Sequence, residues 1–419
     1  MRFLYSLLFS FAFVLLLPYF LIAGLLRGKY LSSAKERFGW IPVSTSAPSI
    51  WVHAVSVGEL LAAKPLLARM ARELPEIPVV VSTTTIAGHS LAKKIYPNST
   101  FYFPFDWSRC IRRVFRRVRP RLILIMETEI WPNLLWEAQQ QNIPVILCNG
   151  RLSDASFSGY RMFRRLLPRF TECWMQSEED AKRMKELNGQ NVSVMGNIKF
   201  DFKAPQLNSE LASSIRNWKD STLLWIAGST MPTEEEQVLK AFAQLRTKHN
   251  LKLLIAPRHP QRFKDVERLM AATDLTYALR TSGTFRDEAV LLLDSIGELA
   301  GCYAFADLVF IGGTIVQTGG HNPIEPASFG KPILAGPNYA NFRAVFEEFI
   351  KKDAIRITKD LYEDAAALLQ DEGKRKKMGE SAQSIVRKNA GATDFVMNRL
   401  RERFYAGNSL EPDQELLVR

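Results

Sequence analysis

Beginning at Ser49, short runs of apolar, often β-branched residues alternate with longer stretches of helical periodicity, and the alternation occurs in two series. The first series has candidate strands at Ser49–Val55, Pro78–Thr84, Leu122–Met126, Pro144–Cys148 and Cys173–Gln176. The second has them at Leu223–Ala227, Leu251–Ala256, Ala289–Leu293, Leu308–Ile311 and Pro332–Leu334. Strands that are apolar on both faces need cover on both faces, which means a parallel sheet between two helical layers. A polar stretch with proline and asparagine, Phe202–Ser213, separates the series and reads as an interdomain linker. The 419 residues are enough for two such halves of roughly 180 residues each. The expected division is residues 1–27, 28–205, 206–395 and a C-terminal helix and tail at 396–419, with helical patterns filling Leu361 to Phe404. Apolar residues make up 47% and charged residues 23%, which excludes a disordered or collagen-like chain. A mean hydropathy of −0.08 excludes a polytopic membrane protein.

Ahead of the first series, Phe3 to Leu26 carry no charge. As a helix this run is about 36 Å long, enough to cross a hydrocarbon core of about 30 Å, and Pro18 is tolerable there. A cleaved signal peptide is the alternative, but the run is long for one and no A-x-A site follows. Arg27, Lys29, Lys35 and Arg37 follow the run and only Arg2 precedes it, so the positive-inside rule places the body of the chain on the cytoplasmic side. The four cysteines, Cys110, Cys148, Cys173 and Cys302, are isolated, which argues against a zinc site or a disulfide framework.

The net charge of +12 is concentrated. Residues 109–121 hold seven arginines and residues 161–169 four more, with no acid in either window. In the first, Ile111, Val114, Phe115 and Val118 fall at helical spacing with Arg112, Arg113, Arg116 and Arg117 around them. A basic amphipathic helix suits an anionic membrane surface or a phosphorylated partner; a solvated face is the bland alternative.

Ligands of open α/β sheets bind beyond the carboxyl ends of the strands. After the first strand, Ser56-Val-Gly58-Glu59 opens a helix, and Glu59 is equally a cap carboxylate or a general base. After the third, Glu127 and Glu129 leave a buried strand and, if extended, point to one side, where like charges raise each other's pKa or need a cation. Lys199, in Gly196-Asn-Ile-Lys199, is a cation suited to a phosphate, or a solvated surface residue. In the second half, Gly228-Ser-Thr and Thr233-Glu-Glu-Glu236 read as a small turn and an acidic helix start. Arg258, after Pro257, can take a phosphate bidentately. In Gly319-Gly-His-Asn322-Pro323-Ile324-Glu325, Asn322 is a natural N-cap with Pro323 at N1, which leaves free N–H groups for a phosphate, and Glu325 suits ribose hydroxyls. A well-capped helix after a glycine loop is the plain alternative, and His321 with Glu325 lacks a third metal ligand. There is no GxxxxGK[ST], GxGxxG or GxSxG and no DxD dyad.

Taken in order, SVGE, TTTxxG, ETEIWPN, NGRLS, GNIKFD, GST, PRHP, GEL, GGHNPIEP and GPNYANF resemble the 3-deoxy-D-manno-octulosonic acid (Kdo) transferase family of lipopolysaccharide biosynthesis, from the N-terminal anchor to about residue 345. The resemblance implies a GT-B glycosyltransferase: two Rossmann-like domains facing a central cleft, behind an N-terminal membrane-anchor helix. It implies transfer of Kdo from CMP-Kdo to a lipid A precursor by an inverting, metal-independent reaction with no cofactor. The enzyme would sit at the cell inner membrane by a single-pass anchor, with its catalytic domains on the cytoplasmic side and no nucleic-acid partner. Glu59 matches the family's general base, and Glu129 and Lys199 match residues stabilising the transition state. Pro257, Arg258, Ile296, Gly297, Glu298, Asn322, Pro323, Ile324 and Glu325 match the CMP-sugar site. The arginine helix then becomes a candidate surface for membrane or acceptor phosphate. The alternatives are another GT-B sugar transferase with a different lipid or donor, and a non-enzymatic, membrane-tethered binder of anionic polymers.

Overall fold

The computed structural model describes residues 2–27, 33–202, 207–283 and 285–405. Lys29, the linker residues 203–206 and the tail from 406 onward lie outside the described residues. The chain divides into two units, Met1–Asp201 with Gly391 onward, and Phe202–Ala390. The second unit therefore begins a few residues before the expected 205/206 boundary, and helix Ser209–Lys219 starts inside the expected linker. The last helix, Ala392–Tyr405, belongs to the first unit. Asp201 holds its start: its carboxylate accepts the Gly391 N–H at 2.5 Å and also the Thr393 N–H.

In the first unit the strands are β1 (Ser49–His53), β2 (Val79–Thr83), β3 (Thr100–Tyr102), β4 (Pro120–Met126), β5 (Val145–Gly150), β6 (Glu172–Met175) and β7 (Val192–Val194). They form one parallel sheet in the order β3-β2-β1-β4-β5-β6-β7. Apolar layers cover both faces. Helices Val57–Glu73 and Ala392–Tyr405 bury Leu60, Leu67, Val396 and Leu400 on one, and Ser108–Val118 and Pro132–Gln140 bury Ile111, Phe115 and Leu134 on the other.

The second unit repeats the design with β8 (Leu223–Thr230), β9 (Leu251–Pro257), β10 (Tyr277–Leu279), β11 (Val290–Leu292), β12 (Leu308–Ile311), β13 (Ile333–Ala335) and β14 (Arg356–Ile357). Their order is β10-β11-β9-β8-β12-β13-β14. The four strands the sequence does not announce, β3, β7, β10 and β14, are the four sheet edges. They are two or three residues long, with one flank unpaired, so no apolar run is required of them. The strand order reverses between β1 and β4 in the first sheet and between β8 and β12 in the second, where β10 and β11 are also exchanged at the edge. Ligands of doubly wound sheets gather at such reversals.

The N-terminal run does form a helix, Arg2–Arg27, with Pro18 inside it. Over its first half it is not free-standing but docked along the first domain. Tyr5 Oη donates to Asp106 Oδ2 at 3.0 Å, Asn133 Nδ2 to Ser6 Oγ at 3.1 Å and Trp107 Nε1 to Ser10 Oγ at 3.0 Å. Arg2 pairs with Glu137, which is only 1% exposed, and Phe13 packs on Phe105 and Trp107. The uncharged run thus hides a stripe of hydroxyls and aromatics at helical spacing, which seats one face on the domain. The other face shows Phe3, Leu4, Leu7, Leu8, Phe11, Val14 and Leu15 to the outside. Among the described residues, no helix is long and apolar enough to cross a membrane.

Candidate active site

In the first domain the loops after β1 and β4 flank the reversal point. The β1 loop starts helix Val57–Glu73, and Ser56 caps it by accepting the Glu59 N–H at 3.4 Å. Glu59 completes a variant of the capping box that reaches the residue ahead of the cap: its Oε2 accepts the Val55 N–H at 2.8 Å and its Oε1 accepts from Ser56 Oγ at 3.1 Å. The cap bonds therefore fix the Glu59 carboxyl at the sheet end. Burial pushes its pKa up to about 7, against the opposing pull of the Val55 N–H, with Glu127 and Glu129 adding to the rise. A carboxyl poised there is half ionised near neutrality, as a general base requires.

The β4 loop departs from the extended form that would align Glu127 with Glu129. Glu127 has φ 54°, and its N–H donates to Cys148 O at 2.9 Å, so the chain turns sharply at the strand end. Lys199 Nζ donates to Glu127 Oε1 at 3.0 Å. Lys199 thus pairs with Glu127, the residue not assigned a role, and leaves Glu129 without that cation. Burial raises the Glu129 pKa, and the Glu127 charge adds to it.

Lys199 is held by a buried amide relay. Gln176 Nε2 donates to Asn149 O at 3.0 Å, and Asn197 Nδ2 donates to Gln176 Oε1 at 3.1 Å. The Ile198 N–H donates to Asn149 Oδ1 at 3.0 Å, and the Lys199 N–H to Asn197 Oδ1 at 3.0 Å. The signal was present as Asn149 and Asn197 within two of the quoted motifs. Their partner Gln176, immediately after β6, carries no such signal and looks like the end of an apolar strand.

The arginine helix is Ser108–Val118, amphipathic as expected, with Ile111, Val114, Phe115 and Val118 buried. Its arginines are partly engaged. Arg113 Nη1 donates to Phe38 O at 3.0 Å and lies over the Trp40 ring, Arg117 Nε donates to Val43 O at 3.2 Å, and Arg112 lies 3.6 Å from Glu137. These three fasten the 38–43 segment and the 132–140 helix, while Arg116 is exposed.

In the second domain Pro257 ends β9, and the Arg258 N–H donates to Thr230 O at 3.0 Å, which ties the β9 loop to the β8 loop. The Arg258 side chain is exposed and its charge reaches Glu325 and His321. Asn322 accepts the Ile324 N–H at 3.1 Å and donates to Glu325 Oε1 at 3.3 Å, but the N-cap position falls on Pro323 and not, as expected, on Asn322. That helix begins at Ile324 rather than Pro323 and spans only Ile324–Ser328. With so few aligned peptides its dipole is small, and since Pro323 and Pro326 have no N–H and the Ile324 N–H is taken by Asn322, its first turn has little to offer an anion beyond the Glu325 N–H. Burial raises the Glu325 pKa, and burial holds His321 down at about 4, a neutral imidazole. Ile296 and Gly297, with φ 89°, form an exposed loop tip. Glu298 beneath them is gripped by Arg280 through Nη2 at 3.0 Å and Nε at 3.2 Å. Among the described residues no three His, Cys, Asp or Glu side chains converge as metal ligands.

Comparison with known proteins identifies the family and the fold. Residues 32–202 match the family model described as 3-Deoxy-D-manno-octulosonic-acid transferase (kdotransferase). The chain is 32% identical to the 3-deoxy-D-manno-octulosonic acid transferase of Haemophilus influenzae, over 96% of this chain and 98% of that one. It is 30% identical to the enzyme of the same name from Bordetella pertussis, over 90% and 92%. Among solved structures, the C-terminal CMP-Kdo binding domain of WaaA from Acinetobacter baumannii aligns with 42% of this chain and 95% of that one, at 30% identity and a TM-score of 0.40. MurG from the same organism covers 85% of this chain at 13% identity with a TM-score of 0.55, a likeness of fold, and that fold is GT-B. With relatives this similar along nearly the whole chain, and with a fold to match, the protein belongs to the 3-deoxy-D-manno-octulosonic acid transferase family.

Proposed function

We infer that the chain transfers Kdo from CMP-Kdo to a lipid A precursor. An acceptor hydroxyl oxygen attacks the anomeric carbon of Kdo, the bond from that carbon to the CMP phosphate breaks, and the hydroxyl proton passes to Glu59. CMP leaves as a phosphate monoester, and the Arg258 guanidinium takes its charge. Glu129 faces the cationic character of the anomeric carbon, and Lys199, oriented by Glu127, completes the charge balance. The observation that carries this reading is the Glu59 carboxyl, fixed by its capping box and pushed up to about 7. The test is the product mass formed by the purified chain from CMP-Kdo and a lipid A precursor. A gain of one or more Kdo units supports the reading, and no gain overturns it.

Membrane association belongs to the same reading. The outward row of Phe3, Leu7, Phe11 and Leu15, beside an arginine-rich helix, is the chemistry of contact with an anionic bilayer. A docked helix favours contact from one side over a free single span. Flotation with anionic lipid vesicles should be lost in a Leu7→Asp, Phe11→Asp double variant; undiminished flotation removes this face from the contact.

A further inference from the structure

The loop after β12 opens with Gly312-Gly313-Thr314, the kind of turn whose bare N–H groups cradle a phosphate. Here the chain supplies the anion itself. Glu234, the first residue of helix Glu234–Leu245 after β8, is fully buried. Its Oε2 accepts the Gly313 N–H at 2.7 Å and the Met231 N–H at 3.0 Å. Its Oε1 accepts the N–H groups of Thr314 at 3.0 Å, Ile315 at 2.9 Å and Val316 at 3.4 Å. One carboxylate therefore joins the two loops that flank the reversal between β8 and β12.

The other side of the loop is clamped from GPNYANF, a motif that the reaction itself leaves without a role. The Asn338 N–H donates to Thr314 O at 2.8 Å and its Nδ2 to Ile315 O at 2.9 Å. The Gly336 N–H donates to Thr314 Oγ1 at 2.7 Å, and Asn341 Nδ2 to Thr318 O at 3.0 Å. The loop is packed so closely that a Cβ on Gly313 would lie 2.9 Å from the His321 ring, immediately before Asn322. Its open face, Gln317 and Gly319, borders a cavity of about 530 Å³ shared with Tyr339 and Arg343.

We propose that Glu234 is a positioning residue for the sugar-nucleotide donor: it fills the turn in place of a phosphate and makes the 312–320 loop a rigid wall beneath Asn322 and Glu325. The proposal rests on the donor-site reading above. Buried charge-assisted bonds of this kind are strong when complete and costly when half-made. The N–H groups of 313–316 are then already occupied, so the donor phosphate depends on Arg258 and not on this turn.

Glu234→Gln tests it in the full-length enzyme. The substituted amide turns an N–H₂ against N–H groups that need an acceptor. The expected result is a donor KM raised at least about tenfold with kcat within about threefold, since Glu234 touches no reacting atom. Amide hydrogen exchange should accelerate within 312–320 and not elsewhere. Asn341→Ala, at an exposed position, loosens the same loop from the opposite side and should raise donor KM severalfold. A folded Glu234→Gln enzyme with donor KM within twofold of wild type overturns the proposal, as does unchanged exchange in the loop. If Glu234→Gln does not fold, an Asn341→Ala enzyme with wild-type donor KM overturns it. Failure of the wild type to use CMP-Kdo removes the donor-site reading instead, and is seen before any variant is compared.

Discussion

Glu59 and Glu234 occupy the same place in their respective sheets. Each follows the strand beside the reversal point, β1 or β8, and each lies in the first turn of the helix that comes next. Their surroundings give them opposite tasks. Glu59 receives one backbone N–H and one hydroxyl, too few to offset its burial, so it is left with a pKa of about 7 and can exchange a proton. Glu234 receives five backbone N–H groups, four of them from a loop some eighty residues away, and becomes part of the framework. Position alone does not set the task of such a carboxyl; its bonding partners do, a local cap for Glu59 and a distant loop for Glu234.

The comparison breaks most directly at Glu59. Glu59→Gln keeps the size and the cap bonds but cannot take a proton. It is expected to lower kcat about 10³-fold, within the range of a lost general base, with donor KM nearly unchanged. Glu234→Gln has the reverse signature, so the two variants assayed together separate proton transfer from positioning. A Glu59→Gln enzyme that keeps kcat within tenfold ends the assignment.

The pH profile is the next largest effect. A Glu59 acting as the base works ionised, so kcat/KM should fall tenfold per pH unit below about 7, roughly a hundredfold by pH 5. The linkage to stability has a definite sign. The folded pKa lies above the ordinary 4.5, so the folded state binds more protons than the unfolded state between about 4.5 and about 7. Raising the pH through that window removes stability, and Glu59→Gln, which has no such proton, should melt higher than wild type at pH 8. A flat rate profile between pH 5 and 8 contradicts the poised carboxyl.

This contrast also marks how far the sequence could be read. The inner strands were legible because strands buried on both faces must be apolar, whereas the four edges carried no such demand. The capping box was visible as Ser56 and Glu59 because its partners are local. Glu234 looked like an ordinary acidic helix start, since its partners lie beyond Leu308–Ile311 and no local pattern connects them. For the same reason Lys199 could be singled out, but not its pairing with Glu127 over Glu129. The N-terminal run was legible as a helix, while its docked face depended on Asp106, Asn133 and Glu137, which only the fold brings to it.

On the donor side, Arg258→Ala should weaken CMP binding about tenfold or more, the scale of one lost charge-assisted contact. If Glu234 truly fills the glycine turn, the turn cannot compensate for the missing guanidinium, and adding Glu234→Gln should deepen the loss. Calorimetric titration with CMP reads both. An Arg258→Ala affinity equal to wild type removes Arg258 from the site and returns the phosphate to some other group.

The smallest expected effect lies one residue before the clasp. Thr233 has φ 75°, a left-handed conformation that a β-branched side chain adopts at a cost of about 1–2 kcal/mol. It is held there from both sides: the Glu234 N–H donates to Met231 O at 3.0 Å, and the Met231 N–H to Glu234 Oε2 at 3.0 Å. The carboxylate thus keeps strained the very turn that delivers it to the loop. Glycine adopts this φ freely but loses more entropy on folding, about 0.5–1 kcal/mol relative to alanine. Thr233→Gly should therefore stabilise the chain by up to about 1 kcal/mol, measured by denaturant titration, with donor KM unchanged because the clasp survives. If relief of this strain instead raises donor KM, the tension in the turn is itself part of how Glu234 is aimed. The first domain has no counterpart, since Ser56, the residue that caps its helix at the corresponding turn, sits at φ −120° in ordinary extended backbone.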